Sequence, residues 1–269
     1  MNTNIGTLFD LCGVIKPVLT DNTIPSEDGK IYEIIRIIEG KPLFFYDHIK
    51  RMEASSKSTG LWVDIDLESL GNRIVSLCEA NNYSICNVKV VGPMDDKGGL
   101  MVYVSAFSYP KEEVYQQGID TAFLEIERPN PNAKLMRDDY KATVAKAIED
   151  NNCYEVLLVS ADGTVTEGSR SNTFFVKGDK VYTTPGELVL KGITRQYIME
   201  ACVRAGASLE ERCVTAEECL GMDGLFISGT SIGVLPVRTV GSKTFSSPEL
   251  PMILNIRKHY EAIVKENLL

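Results

Sequence analysis

Residues 154–184, YEVLLVSADGTVTEGSRSNTFFVKGDKVYTT, decide how the chain is read. The run YEVLLVS at 154–160, the pair Asp162-Gly163 and TVTEG at 164–168 read as strand, turn and strand, because β-branched and apolar residues interrupted by Asp-Gly favour a hairpin. NTFFVK at 172–177, Gly178-Asp179 and KVYTT at 180–184 repeat that pattern. Upstream, DDYKATVAKAIEDNN at 138–152 predicts a helix whose acidic start suits the positive end of the helix dipole. Before it, Arg128-Pro129-Asn130-Pro131-Asn132-Ala133-Lys134 is too rich in proline to be helical, and a strand over 119–127 leads into it. Downstream, TRQYIMEACVRAG at 194–206 places Ile198, Ala201, Cys202 and Ala205 on one helix face and stops at Gly206. Two strands, GLFISG and VLPVRTV, and a C-terminal helix complete this half.

The N-terminal half has its own pattern. IYEIIRIIE at 31–39, Gly40-Lys41-Pro42 and LFFY at 43–46 read as strand, turn and strand. A helix fits 47–60, closed by Gly60, and the spacing of Leu67, Leu70, Ile74 and Leu77 predicts another. Strands follow at 86–91 and 100–107. The polar SYPKEEVYQQG at 108–118, with Pro110 inside and Gly118 at its end, is the best candidate for a linker. It divides the chain into an N-terminal domain, 1–107, and a C-terminal domain, 119–269.

With 269 residues, 44% hydrophobic and 24% charged, the composition is that of a folded globular protein and excludes disorder or a fibrous repeat. Lys+Arg 28 against Asp+Glu 37 leaves a net charge of −9, which repels phosphate backbones and anionic membranes, so neither nucleic acid nor membrane is an expected partner. A local pocket can still hold one small anion, because its own residues govern it. The 7 cysteines lack a CxxC pair and read as reduced, mostly buried thiols. The N-terminus has no basic stretch and small-residue cleavage site, and no run approaches the apolar length of a membrane span, so the cytoplasm is the expected address. His48 and His259 are the 2 histidines, which leaves little for a histidine-dependent triad or a multi-histidine metal site; no metal is expected. Phosphate-loop, dinucleotide and nucleophile-elbow motifs are absent from the sequence.

Two short turns could cradle an anion. Lys191-Gly192-Ile193-Thr194 sits at a helix start, where backbone N–H groups and the dipole favour phosphate, and Gly229-Thr230-Ser231 follows an apolar strand. Taken singly, each reads equally as a helix cap or a plain turn.

Their order changes the reading. TVTEGSRSN at 164–172, TTP at 183–185 and LKGITR at 190–195 closely resemble the core signature of the fold-type IV pyridoxal-phosphate enzymes. That family includes branched-chain and D-amino-acid aminotransferases and aminodeoxychorismate lyase. IYE at 31–33 and YDHIKRMEASS at 46–56 resemble its strand and its H-x-x-R-hydrophobic-x-x-S helix start, and LFISGTSIGVLPV at 225–237 resembles its phosphate-turn strand. The resemblance spans about residues 29–240. It implies an α/β (α+β) fold with a small N-terminal domain, a larger C-terminal domain with a barrel-like sheet, pyridoxal 5'-phosphate between them, and a homodimer.

The resemblance also implies roles. Counting back from Glu167 through Cys153-Tyr154-Glu155 puts the Schiff-base lysine at Lys134, whereas Lys141 and Lys146 fall on a solvated helix. Such a lysine must be neutral part of the time, to attack an aldehyde and then move a proton. For any single lysine a surface charge is the ordinary reading, and only the spacing lifts Lys134 above it. Glu167 is implied as partner of the pyridine nitrogen, making the ring an electron sink. Arg51, Gly192, Ile193, Thr194 and Thr230 would hold the phosphate, Leu190 would pack on the ring, Asn172 would support the cofactor edge, and Tyr32 would line the substrate pocket. His48 is read as structural.

The departures are specific. Where the family has G-D-G-hydrophobic-Y/F-E, this chain has Glu27-Asp28-Gly29-Lys30-Ile31-Tyr32-Glu33, and the first 28 residues do not follow the pattern. Val91 stands where the D-amino-acid enzymes place a carboxylate-binding arginine, and Leu135-Met136-Arg137-Asp138-Asp139-Tyr140 replaces the familiar segment after the lysine. The implied activity is transfer of an amino group between an amino acid and a 2-keto acid. The alternatives are pyruvate elimination of the aminodeoxychorismate lyase type and a non-catalytic relative that binds a phosphorylated ligand.

Overall fold

Alternation along IYEIIRII builds the first sheet: Ile31, Ile35 and Ile37 are fully buried on one face together with Glu33, while the intervening residues are half-buried. The computed structural model describes residues 4–20, 23–128 and 130–268. The chain divides into two units, one of residues 1–108, 133–138 and 267–269, the other of residues 109–132 and 139–266.

In the first unit the elements are β1 (Asn4–Leu11), β2 (Val14–Pro17), β3 (Ile31–Ile38), β4 (Lys41–Pro42), α1 (Phe45–Thr59), α2 (Leu67–Ala80), β5 (Cys86–Gly92) and β6 (Met101–Ser105). They form a six-stranded sheet in the order β2-β1-β6-β5-β3-β4, antiparallel throughout. Ile49 and Met52 of α1 and Leu70, Ile74, Leu77 and Cys78 of α2 share one core with Ile31, Ile35, Val88 and Val102. The Asp66 side chain caps α2 by accepting from the Ser69 N–H at 2.6 Å. The strand expected at 43–46 is corrected. The β3–β4 turn closes at Glu39 and Gly40, both at positive φ, so the return strand is Lys41–Pro42 alone. Phe44 takes the left-handed conformation and α1 begins at Phe45; Leu43 and Phe44 are apolar because they enter the core.

The second unit contains α3 (Glu112–Gln117), β7 (Ile119–Glu125), α4 (Asp138–Asp150), β8 (Glu155–Val159), β9 (Val165–Gly168), β10 (Asn172–Lys177), β11 (Lys180–Thr183), α5 (Ile193–Arg204), β12 (Ser208–Glu211), α6 (Ala216–Leu220), β13 (Gly224–Gly229), β14 (Gly233–Val240), β15 (Lys243–Thr244) and α7 (Pro251–Glu266). Its sheet follows β12-β11-β10-β13-β14-β7-β8-β9, with β15 on β14. It is mixed: β7 pairs parallel with β8 and β14, whereas β8–β9 and β10–β11 are the hairpins expected from the sequence. The sheet curls, so that β9 at the end of the path lies against β10, and Thr173 Oγ1 donates to the Thr166 carbonyl at 3.5 Å. One face of β10 and β13 buries Phe175, Leu225 and Ile227 in the main core; on the other, Phe174 and Phe226 stack at 4.9 Å.

Two segments differ from the expected domain division. The proposed linker carries α3 and clusters with the second unit. Residues 133–138, expected in the C-terminal domain, cluster with the first, because the Tyr32 N–H donates to the Lys134 carbonyl at 3.0 Å and the Met136 N–H to the Lys30 carbonyl at 2.9 Å. Backbone pairing to β3 outweighs their place in the chain.

Candidate functional site

In the first unit, β3 and α1 build a buried electrostatic cluster. Glu33, fully buried, accepts from Arg51 Nε at 2.8 Å on one oxygen and from Arg51 Nη2 at 2.5 Å and His48 Nδ1 at 2.8 Å on the other. Burial by itself would raise the Glu33 pKa, but the Arg51 guanidinium and the bonds from His48 and Arg51 bring it down to about 2. Burial also pushes His48 below its ordinary 6.5, aided by the Arg51 and Lys134 charges and opposed by Glu33. The neutral imidazole therefore donates through Nδ1, which is the structural role read for it.

Lys134 lies in irregular backbone before α4, half-buried, with its Nζ 4.8 Å from the centroid of the Tyr32 ring. Lys89 Nζ stands at the same 4.8 Å from that ring and pairs with Glu27, which also accepts from the Tyr103 hydroxyl. Lys141 and Lys146 are exposed on α4. Val91 is fully buried and faces Tyr32 across the β3–β5 pair.

In the second unit Glu167 sits at the end of β9 with its side chain 3% exposed. One oxygen accepts from Arg128 Nε at 2.7 Å; the other accepts from the Leu190 N–H at 3.2 Å and Asn172 Nδ2 at 3.4 Å. Asn172 Nδ2 also donates to the Leu190 carbonyl at 2.9 Å, tying Glu167, Asn172 and Leu190 together. Gly192 presses on the same group, since a Cβ there would meet Asn172 Oδ1 at 2.2 Å. Arg128 went unassigned from sequence: it lies 39 residues from Glu167, and nothing in the pattern around Pro129 marks it.

Gly192 caps α5 without a side-chain bond, so the N–H groups of Ile193 and Thr194 begin the helix without a side-chain acceptor from their cap, and the Thr194 side chain is buried. Thr230 is half-buried in the turn joining β13 to β14. The adjacent Ser228 is 1% exposed, and its hydroxyl has no hydrogen-bond partner among the described residues. A buried carboxylate, a side-chain-free helix start and an unsatisfied hydroxyl fit a ligand that carries both a basic ring nitrogen and a phosphate.

The segment between Glu167 and Asn172 is held from beneath by Glu155. This buried carboxylate accepts from the Arg170 N–H at 2.6 Å and from the Ser171 and Ser169 hydroxyls at 3.0 and 3.3 Å. Burial raises its pKa against the lowering pull of Arg170 and these donors. Among the described residues there is no group of three or more His, Cys, Asp or Glu that could hold a metal, and no helix long and apolar enough to cross a membrane.

A family model described as "Amino-transferase class IV" matches residues 30–240. The chain is 28% identical over 244 residues to D-alanine aminotransferase of Bacillus licheniformis, covering 82% of this chain and 81% of that protein. Among solved structures, the T.th. branched-chain amino acid aminotransferase with pyridoxamine 5'-phosphate superposes with a TM-score of 0.86 at 22% identity, covering 97% of this chain and 95% of that one. Branched-chain aminotransferase of the archaeon Thermoproteus uzoniensis with norvaline gives 0.83 at 22% identity, covering 97% and 96%.

Proposed function

Because the chain belongs to the class IV amino-transferase family, we propose that it is a pyridoxal-phosphate-dependent aminotransferase that moves an amino group between an amino acid and a 2-keto acid. The observation that carries this reading is the buried Glu167 carboxylate, oriented by Arg128, Leu190 and Asn172 inside the matched region.

Bound pyridoxal phosphate supplies an aldehyde for the amine and a pyridinium that draws electrons from the substrate's α-carbon. Glu167 would pair with the ring nitrogen, and the Arg128 guanidinium orients its carboxylate through an ion pair at 2.7 Å. The N–H groups of Gly192, Ile193 and Thr194, the hydroxyls of Thr194 and Thr230, and the charge of Arg51 would hold the phosphate. Leu190 would pack on the ring and Asn172 would support the cofactor. Lys134 would hold the cofactor through its amine and would move the proton at the substrate's α-carbon. Tyr32 would line the substrate pocket, with Lys134 Nζ and Lys89 Nζ each 4.8 Å from the centroid of its ring. The reading extends to a homodimer acting in the cytoplasm, tested by light scattering and by cell fractionation.

Reducing the cofactor-loaded protein with borohydride and mapping the peptides tests the central assignment. We expect a pyridoxyl mass on Lys134 that disappears in Lys134→Ala; a label on Lys141, or none on the wild type, overturns it. A half-reaction screen with L- and D-amino acids then reads donor and handedness. Pyruvate released from an aminated chorismate without an amino acceptor would select the lyase instead.

A further inference from the structure

Ser228 carries a buried hydroxyl that none of the described residues satisfies. Its neighbours show which way it faces. In the antiparallel β10–β13 pair, Asn172 stands directly opposite Ser228 and Phe174 opposite Phe226. Directly opposed residues share a face of the sheet, and the Phe174–Phe226 stack at 4.9 Å confirms the register. Ser228 therefore points to the Asn172 side, away from the core face that holds Phe175, Leu225 and Ile227.

Beyond the Phe174–Phe226 stack, the Asn172 end of that face is polar. Asn172 bonds to Glu167 and to the Leu190 carbonyl, and Gly192 at the start of α5 lies hard against it. α5 packs on β13, and the Gly229-Thr230 turn begins one residue beyond Ser228. Ser228 thus shares its sheet face with Asn172, against which the start of α5 lies, and stands directly before the Gly229-Thr230 turn. Native proteins rarely leave such a group unpaired, because an unmet buried donor costs free energy that an incoming acceptor restores.

We propose that Ser228 is a further phosphate-binding residue, its hydroxyl donating to a phosphate oxygen of the phosphorylated pyridine cofactor. This inference rests on the cofactor reading above. It gives β13 a direct part in holding the anion, in addition to the Thr230 turn that follows it.

Equilibrium titration of the apoprotein, followed by the visible absorbance of bound cofactor and by intrinsic fluorescence, tests it in wild type and Ser228→Ala. Pyridoxal phosphate should bind the variant about ten- to a hundredfold more weakly, the worth of a hydrogen bond to a charged group. Pyridoxal, which has no phosphate, should bind both proteins equally. The melting temperature of the apo variant should equal or exceed that of the wild type, since an unsatisfied hydroxyl has been removed. Equal affinity of both proteins for pyridoxal phosphate overturns the proposal, and so does an equal loss for pyridoxal and its phosphate. A lowered apo melting temperature with unchanged affinity assigns Ser228 a structural role and overturns it too. If the wild type itself fails to bind pyridoxal phosphate, the cofactor reading falls, a result distinct from all of these.

Discussion

Arg51 grips Glu33 with two bonds, Nε to Oε1 at 2.8 Å and Nη2 to Oε2 at 2.5 Å, with the carboxylate fully buried and the guanidinium side chain 10% exposed. A two-pronged pair of this kind fixes the direction of the guanidinium as well as its charge. Glu33→Gln removes the charge and leaves Arg51 buried beside a weaker partner. The expected loss is about 3–5 kcal/mol of unfolding free energy, the cost of breaking a buried pair from one side, measured by urea denaturation. A loss within the scatter of surface substitutions would contradict the geometry.

Acid should destabilise the protein in two stages. The His48 pKa is depressed in the folded state, so the unfolded chain takes up its proton first; stability present above 6.5 declines as the pH falls below that value. Glu33 is depressed from 4.5 to about 2, and its contribution, full above 4.5, is lost as the pH falls toward 2. Both slopes have the same sign. In His48→Gln the decline that starts near 6.5 should be absent while the lower one remains, as read from denaturation midpoints across the pH series.

The pairing of Arg128 with Glu167 predicts a loss of cofactor affinity. Arg128→Met removes the guanidinium that donates to Glu167 at 2.7 Å and to the Ser169 carbonyl at 3.0 Å. Titration of the apo variant should show pyridoxal phosphate bound about ten- to a hundredfold more weakly, the effect of losing hydrogen bonds that orient a charged group. An unchanged affinity would mean that Arg128 serves folding alone.

Gly192→Ala should damage cofactor binding without a backbone cause, since Gly192 has φ −61. The added Cβ would lie 2.2 Å from Asn172 Oδ1, so the amide must abandon Leu190 or the start of α5 must move. Overpacking of this kind costs about 1–3 kcal/mol, which corresponds to at least a fivefold weaker affinity for pyridoxal phosphate if the strain falls on the bound form. Titration of the apoprotein checks it.

Much of this architecture is legible in one dimension. The period-two alternation of residues 31–38, the Asp-Gly and Gly-Asp hairpins at 162–163 and 178–179, and the three-and-four spacing from Leu70 to Leu77 are local signals, and the strands and helices form where they predict. The apolar run at 43–46 misled because hydrophobicity reports burial, and a helix start against the core demands it as much as a strand does. The order of TVTEGSRSN and LKGITR likewise pointed to Glu167, Asn172, Leu190 and Gly192, which the fold links directly.

What the chain determined by itself was therefore the identity and order of the elements, because propensity and periodicity act over a few residues, while the resemblance of its ordered motifs pointed to the family. Tertiary structure decided the partners. Arg128 reaches Glu167 across 39 residues, Arg51 reaches Glu33 across 18, residues 133–138 join the first unit through β3, and Ser228 is buried without a partner among the described residues. Each depends on which distant groups are excluded from water together, and a carboxylate, guanidinium or hydroxyl acquires its chemistry only once that surrounding is built.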